Sequence, residues 1–222
     1  MAGWATKIAA DKLLDAMRKP DGSFRGYSEM LGEGIQTKYF GKYESPSDVE
    51  RIDKYTGHGF DSVGQNFILN LCEVEVDVKT GKTRVLRYRI ISDIGVVGNK
   101  LAVTGQALGG MSHCVGFALT ENYDDMKRHG TMAGAGIPAI NDIPDDADVI
   151  FNETPREYGP QNSTGCSESY QSCGHVAVLN AIYDAAGVRI YTLPATSEKV
   201  KRAIEALSDG VSIKQEHWNL GC

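Results

Sequence analysis

One stretch limits the fold of this chain more than any other: NKLAVTGQALGGMSHCVGFALTEN, Asn99 to Asn122. Leu101, Leu108, Met111, Val115 and Leu119 recur at helical spacing. Yet Gly105, Gly109, Gly110 and Gly116 interrupt it, and each glycine costs a free helix about 1 kcal/mol relative to alanine. A helix so diluted is held by what packs against it. Something is therefore expected to lie very close to its backbone.

The segments around it are more conventional. WATKIAADKLLDAMRKPDG places Ile8, Ala9, Leu13, Leu14 and Met17 on a helical stripe that Pro20-Asp21-Gly22 ends. Residues 23–62 lack periodicity and read as an irregular arm with at most one short element. Leu69, Leu71, Val74 and Val76 lead through the turn DVKTGKT to Val85, Tyr88, Ile90 and Ile91, the pattern of a β-hairpin. Residues 122–157 are loop-rich, with one short strand signal in DVIFNE. Val176, Leu179, Ala181, Ile182 and Ala185 then form a helical stripe that Gly187 terminates. VRIYTLP reads as a strand, and Thr196 or Ser197 caps a last helix with Glu198 in its first turn.

The fold class is α+β: a β-hairpin or small sheet with packed helices. The expected organisation is a helix and arm over 1–65, a main part over 66–207 and a frayed tail over 208–222. The chain has 222 residues, 41% apolar and 23% charged, with a net charge of −6. That charge offers no basic field to nucleic acid or an anionic membrane. No apolar run is long enough for a membrane span, and the amphipathic N-terminus lacks the uninterrupted apolar stretch of a secretory signal. Cys72, Cys114, Cys166, Cys173 and Cys222 are odd in number and irregular in spacing, which points to a reducing, cytoplasmic setting.

Chemistry concentrates in YGPQNSTGCSESYQSCGH, Tyr158 to His175. A nucleophilic cysteine needs a nearby base and a setting that stabilises the thiolate, and Cys173 with His175 is the only local pair. A zinc site wants paired ligands at short spacing, and Cys166, Cys173 and His175 lack a C-x2-C element. Both cysteines otherwise read as small apolar filler. Glu168 is the only acid between Glu157 and Asp184. Buried, it would be a proton acceptor poised near neutral pH; exposed, it would be a surface acid or a cap for the next helix.

Taken together, GQALGGMSHCVGFALTE, REYGPQNSTGCSE and HVAVLNAIYDAAGVRIYTLPATSEKV resemble the C-terminal part of the molybdenum-binding large subunit of the xanthine oxidase family. The likeness is strongest to bacterial aldehyde oxidoreductases that use molybdopterin cytosine dinucleotide. It runs from DKLLDAMRKPDG to about Leu207. The family's iron–sulfur domains and earlier glycine-rich cofactor loops have no counterpart here, so one piece of a split molybdenum subunit is expected.

The resemblance implies a division of roles. Glu168 takes the place of the family's general base, which ends a Gly-x-Gly-Glu turn after a Gly-Pro. Gln106 takes the place of the glutamine that contacts the cofactor. Gly105, Gly109 and Gly110 would let the helix approach the pterin, and Thr164, Gly165, Cys166 and Ser167 would border the metal through backbone groups. No residue of this chain is implied as a metal ligand. The sequence departs from the family pattern at Ser167, in the run Gln161-Asn162-Ser163-Thr164, and at His113-Cys114.

The implied reaction is hydroxylation of a carbon centre by water, first of all aldehyde to carboxylic acid. The implied cofactor is molybdopterin cytosine dinucleotide with molybdenum, tungsten being the alternative. Implied partners are a subunit with the rest of the molybdopterin domain, an iron–sulfur subunit carrying [2Fe-2S] clusters, and a flavin subunit with FAD as a further option. Hydroxylation of an N-heterocycle and a non-catalytic assembly role are the competing readings.

Overall fold

The computed structural model describes residues 2–44, 46, 52–59 and 64–209. The described residues fall into two units, Met1–Gln65 with Thr154–Thr164, and Asn66–Glu153 with Gly165–Cys222.

In the first unit, α1 spans Ala2–Met17 and α2 spans Tyr27–Gly32. The turn at Pro20-Asp21-Gly22 ends α1 as expected: Gly22 takes a positive φ of 85° and the Asp21 carboxylate accepts from the Ser23 amide at 3.0 Å. The 154–164 segment is anchored to α1. Trp4 Nε1 donates to the Tyr158 carbonyl at 2.6 Å, and a β-carbon at Gly3 would lie 2.7 Å from the Pro160 ring. Within this segment Gln161 and Asn162 hold φ values of 53° and 64°. That left-handed conformation is uncommon for residues with a side chain.

The second unit is built on a three-stranded sheet of order β1 (Phe67–Val76), β2 (Thr83–Asp93), β3 (Asp146–Phe151). The expected hairpin forms β1 and β2, antiparallel, with a bulge at Glu73/Val74; β3 adds parallel to β2. Central β2 sends Val85, Tyr88, Ile90 and Ser92 into the interior. They meet α3 (Lys100–Leu119), whose buried positions include Ala107, Gly110, Met111, Cys114, Val115 and Ala118. Asn99 caps α3 by accepting from the Ala102 amide at 3.0 Å. α4 (Gly174–Ala186) closes the core with Val178 and Ile182, and Gly187 ends it in the left-handed conformation. α5 (Ser197–Ser208) is capped by the Thr196 hydroxyl and adds Val200 and Ala203.

One expectation changes. VRIYTLP is not a strand. Val188 and Ala195 insert into the core, and the Ala195 amide donates to the Ala118 carbonyl at 2.6 Å, so this segment follows the end of α3 and not a sheet edge. On β1, Leu69 and Leu71 lie on the open face with Phe67, while Ile68, Cys72, Val74 and Val76 take the packed face. The strand is thus apolar on both sides over its first half. The expected tail falls mostly outside the described residues.

Candidate functional site

The glycines of α3 divide into two classes. A β-carbon at Gly110 would sit 2.5 Å from Tyr170 Cβ and 2.9 Å from its carbonyl carbon. A β-carbon at Gly116 would run into Glu121 and the Pro138 ring. For these two the expected close approach is real, and protein supplies it. At Gly105 and Gly109, by contrast, a β-carbon would meet nothing within 4 Å. Both are exposed, as are Gln106 and His113. The first half of α3 therefore shows a face of bare backbone, and the Gln106 amide has no partner among the described residues. Gln106 stands one turn, roughly 6 Å along the axis, from Gly110.

Tyr170 belongs to a short 3-10 turn, Glu168–Gln171. That turn, with the residues flanking it, is fastened at several points. Asn66 Nδ2 donates to the Gly165 carbonyl at 2.5 Å and to Ser169 Oγ at 2.7 Å. Tyr170 is fully buried, and its hydroxyl pairs with Ser92 Oγ at 2.8 Å. Cys114 Sγ donates to the carbonyls of Tyr170 and Gln171 at 3.5 and 3.6 Å. Asn70 Nδ2 donates to Cys173 Sγ at 3.0 Å. Asn66, Asn70, Ser92 and Tyr170 were not singled out by sequence. They are scattered polar residues in otherwise apolar strands and a loop, and only the strand register brings them to this turn.

Glu168 opens the turn and is exposed. Its carboxylate makes no hydrogen bond or ion pair among the described residues. Burial within this chain is therefore not what sets it apart. The capping reading has no support: α4 begins at Gly174, behind Cys173, which gives no side-chain cap. Ser167 precedes Glu168, is exposed, and likewise gives no side-chain cap. Gly165 is exposed, and Cys166 is half-buried against the core. The structure thus brings Gly165, Cys166, Ser167 and Glu168 into one unit with Gly105, Gln106, Gly109 and Gly110. Thr164 belongs to the other unit, where its methyl lies against Gly64.

The cysteines behave as packing residues. Burial pushes the Cys114 and Cys166 thiols above their usual range and Cys72 up to about 12, which disfavours thiolates at neutral pH. His175 stacks edge-on against Phe117, ring centres 5.2 Å apart, and desolvation lowers its pKa. That burial favours the neutral ring, and its buried Nδ1 has no partner among the described residues. Among the described residues no group of three His, Cys, Asp or Glu could hold a metal ion, and no helix is long and apolar enough to cross a membrane.

Comparison with known proteins places this geometry. The family model of the molybdopterin cofactor-binding domain matches residues 1–144. The chain is 39% identical to the aldehyde oxidoreductase of Megalodesulfovibrio gigas over 93% of its own length and 23% of that protein's. It superposes on the solved aldehyde oxidoreductase from Desulfovibrio gigas with a TM-score of 0.88, 39% identity, 93% coverage of this chain and 23% of that one. The α+β fold is thus that of the corresponding portion of those structures. The nicotine 6-hydroxylase large subunit of Paenarthrobacter nicotinovorans is 33% identical over 61% of this chain and 17% of its own length. The chain spans about a quarter of the length, or less, of the relatives it matches.

Proposed function

This chain belongs to the family of molybdopterin cofactor-binding domains, in the xanthine oxidase group of molybdenum hydroxylases, and on that premise we propose that it supplies the base-bearing part of a molybdenum site that oxidises aldehydes to carboxylic acids. The observation that carries this reading is the bare face of α3. Gly105 and Gly109 leave backbone open beside the Gln106 amide, which has no partner among the described residues, one turn from the residue on which the Glu168 turn rests. A flat heterocycle with hydrogen-bonding edges, such as a pterin, fits such a surface, because the glycines admit close approach to the backbone and the Gln106 amide can both donate and accept a hydrogen bond.

In this reading Gln106 and the α3 backbone at Gly105 and Gly109 hold the cofactor, with the backbone of Gly165, Cys166 and Ser167 bordering the metal. Gly110 serves the Glu168 turn. The molybdenum cofactor, in its cytosine dinucleotide form, supplies when bound the two-electron redox chemistry. Glu168 accepts a proton from the water whose oxygen adds to the carbonyl carbon. The net change takes one water and releases two electrons and two protons, the electrons leaving through an iron–sulfur partner and, where present, a flavin subunit. The open face of β1, with Phe67, Leu69 and Leu71 more than half exposed, supports a working form in which more protein lies against this chain. Hydroxylation of an N-heterocycle is the second reading, favoured by the likeness to nicotine 6-hydroxylase.

Gln106 tests the cofactor assignment. A lost hydrogen bond to a charged group costs about 1.5–3 kcal/mol. Gln106→Ala in the purified complex should lower pterin occupancy by about tenfold or more at limiting cofactor while turnover per bound metal changes little. Unchanged pterin content would make Gln106 an ordinary exposed helix residue.

A further inference from the structure

We infer that Tyr170 is the positioning residue for Glu168, acting through its buried hydroxyl bond to Ser92. The inference rests on the reading of Glu168 as the base and adds what holds it in place.

Glu168 and Tyr170 are two residues apart in a 3-10 turn, which has about three residues per turn, so their side chains leave on different sides. Tyr170 points inward, with no exposed surface, and Glu168 outward. The inward ring fixes the outward carboxylate because every part of Tyr170 is engaged. Its Cβ lies over Gly110, where a side chain would leave no room. Its carbonyl accepts from Cys114 Sγ. Its hydroxyl reaches Ser92 on the central strand of the sheet, and Ser92 is equally buried. Two buried hydroxyls satisfy one another at 2.8 Å, and any rotation of the turn would leave both unpaired. Burial also raises the Tyr170 pKa, so the hydroxyl stays protonated and able to pair. Glu168 has no bond of its own among the described residues. Its direction is therefore inherited from Tyr170 and from the flanking contacts of Asn66.

The test is Tyr170→Phe in the assembled complex, with Glu168→Gln in parallel. Phenylalanine keeps the ring and the fit over Gly110, so folding is preserved. The first readout needs no cofactor: amide hydrogen exchange of residues 165–172, expected to rise about fivefold to tenfold for the loss of one buried hydrogen bond. The second is the split between kcat and KM. Turnover per bound molybdenum should fall by about tenfold with KM unchanged, because a displaced base weakens the chemical step and not substrate binding. Ser92→Ala should reproduce both effects, and the double variant should be no worse than either single one. Unchanged exchange, or faster exchange with unchanged kcat, would overturn the inference while leaving the base assignment standing if Glu168→Gln is slow. Should Glu168→Gln keep full turnover, the base reading fails and this inference falls with it.

Discussion

Glu168→Gln should leave metal and pterin in place and lower turnover per bound metal by a factor of about 10²–10⁴, the usual contribution of a general base. The amide keeps the size of the side chain and removes the proton acceptor. Nothing else should change, because the carboxylate is exposed and makes no bond among the described residues that stability could depend on. The melting temperature is the control, and it should match the parent. Cys166→Ala and Cys173→Ala should retain most activity. Cys166 packs against the core with its thiol held protonated, and Cys173 accepts a bond from Asn70. The reverse ranking is what a cysteine nucleophile would require. A loss of stability with little loss of rate per folded molecule is what a structural acid would show.

The second large effect is on folding and concerns Gly174. A β-carbon there would collide with the Tyr88 hydroxyl and lie 2.7 Å from Cys114 Sγ. Three elements meet at that point, β2 through Tyr88, α3 through Cys114 and α4 through Gly174 itself. None has slack, since Tyr88 and Cys114 are buried within the core. Gly174→Ala should cost about 1–3 kcal/mol, the range for overpacking a filled interior. For a chain of this size that lowers the melting temperature by about 2–4 °C for each kcal/mol. Gly105→Ala is the counterpart. With nothing within 4 Å of its β-carbon, it should stabilise α3 by up to about 1 kcal/mol, while a methyl on the proposed cofactor face lowers pterin occupancy. A chain that tolerates Gly174→Ala as easily as Gly105→Ala would contradict the packing described.

Much of the architecture is legible in the sequence because local signals and tertiary packing agree. Pro20-Asp21-Gly22 ends α1, the DVKTGKT turn joins β1 to β2, Thr196 caps α5, and Gly187 closes α4. VRIYTLP fails because its apolar residues serve the interior without pairing to a strand, a choice that periodicity alone does not reveal. The glycines of α3 were legible as a demand for close approach but not as two kinds of demand. Gly110 and Gly116 answer to protein, Gly105 and Gly109 to open space. The supports of the Glu168 turn were the least legible part. Asn66, Ser92 and Tyr170 lie up to 104 residues from one another in sequence, as the Asn66 to Tyr170 numbering shows. Single polar residues carry no pattern until the sheet register and the turn bring them together.

The central claim is that this chain completes a molybdenum–pterin site. It is tested most directly by isolating the chain with whatever protein accompanies it in the cell and measuring molybdenum and pterin per copy. The account predicts stoichiometric metal and pterin, with pterin lost on Gln106→Ala and retained on Glu168→Gln. A complex that oxidises its substrate at full rate with neither metal nor pterin bound would contradict it.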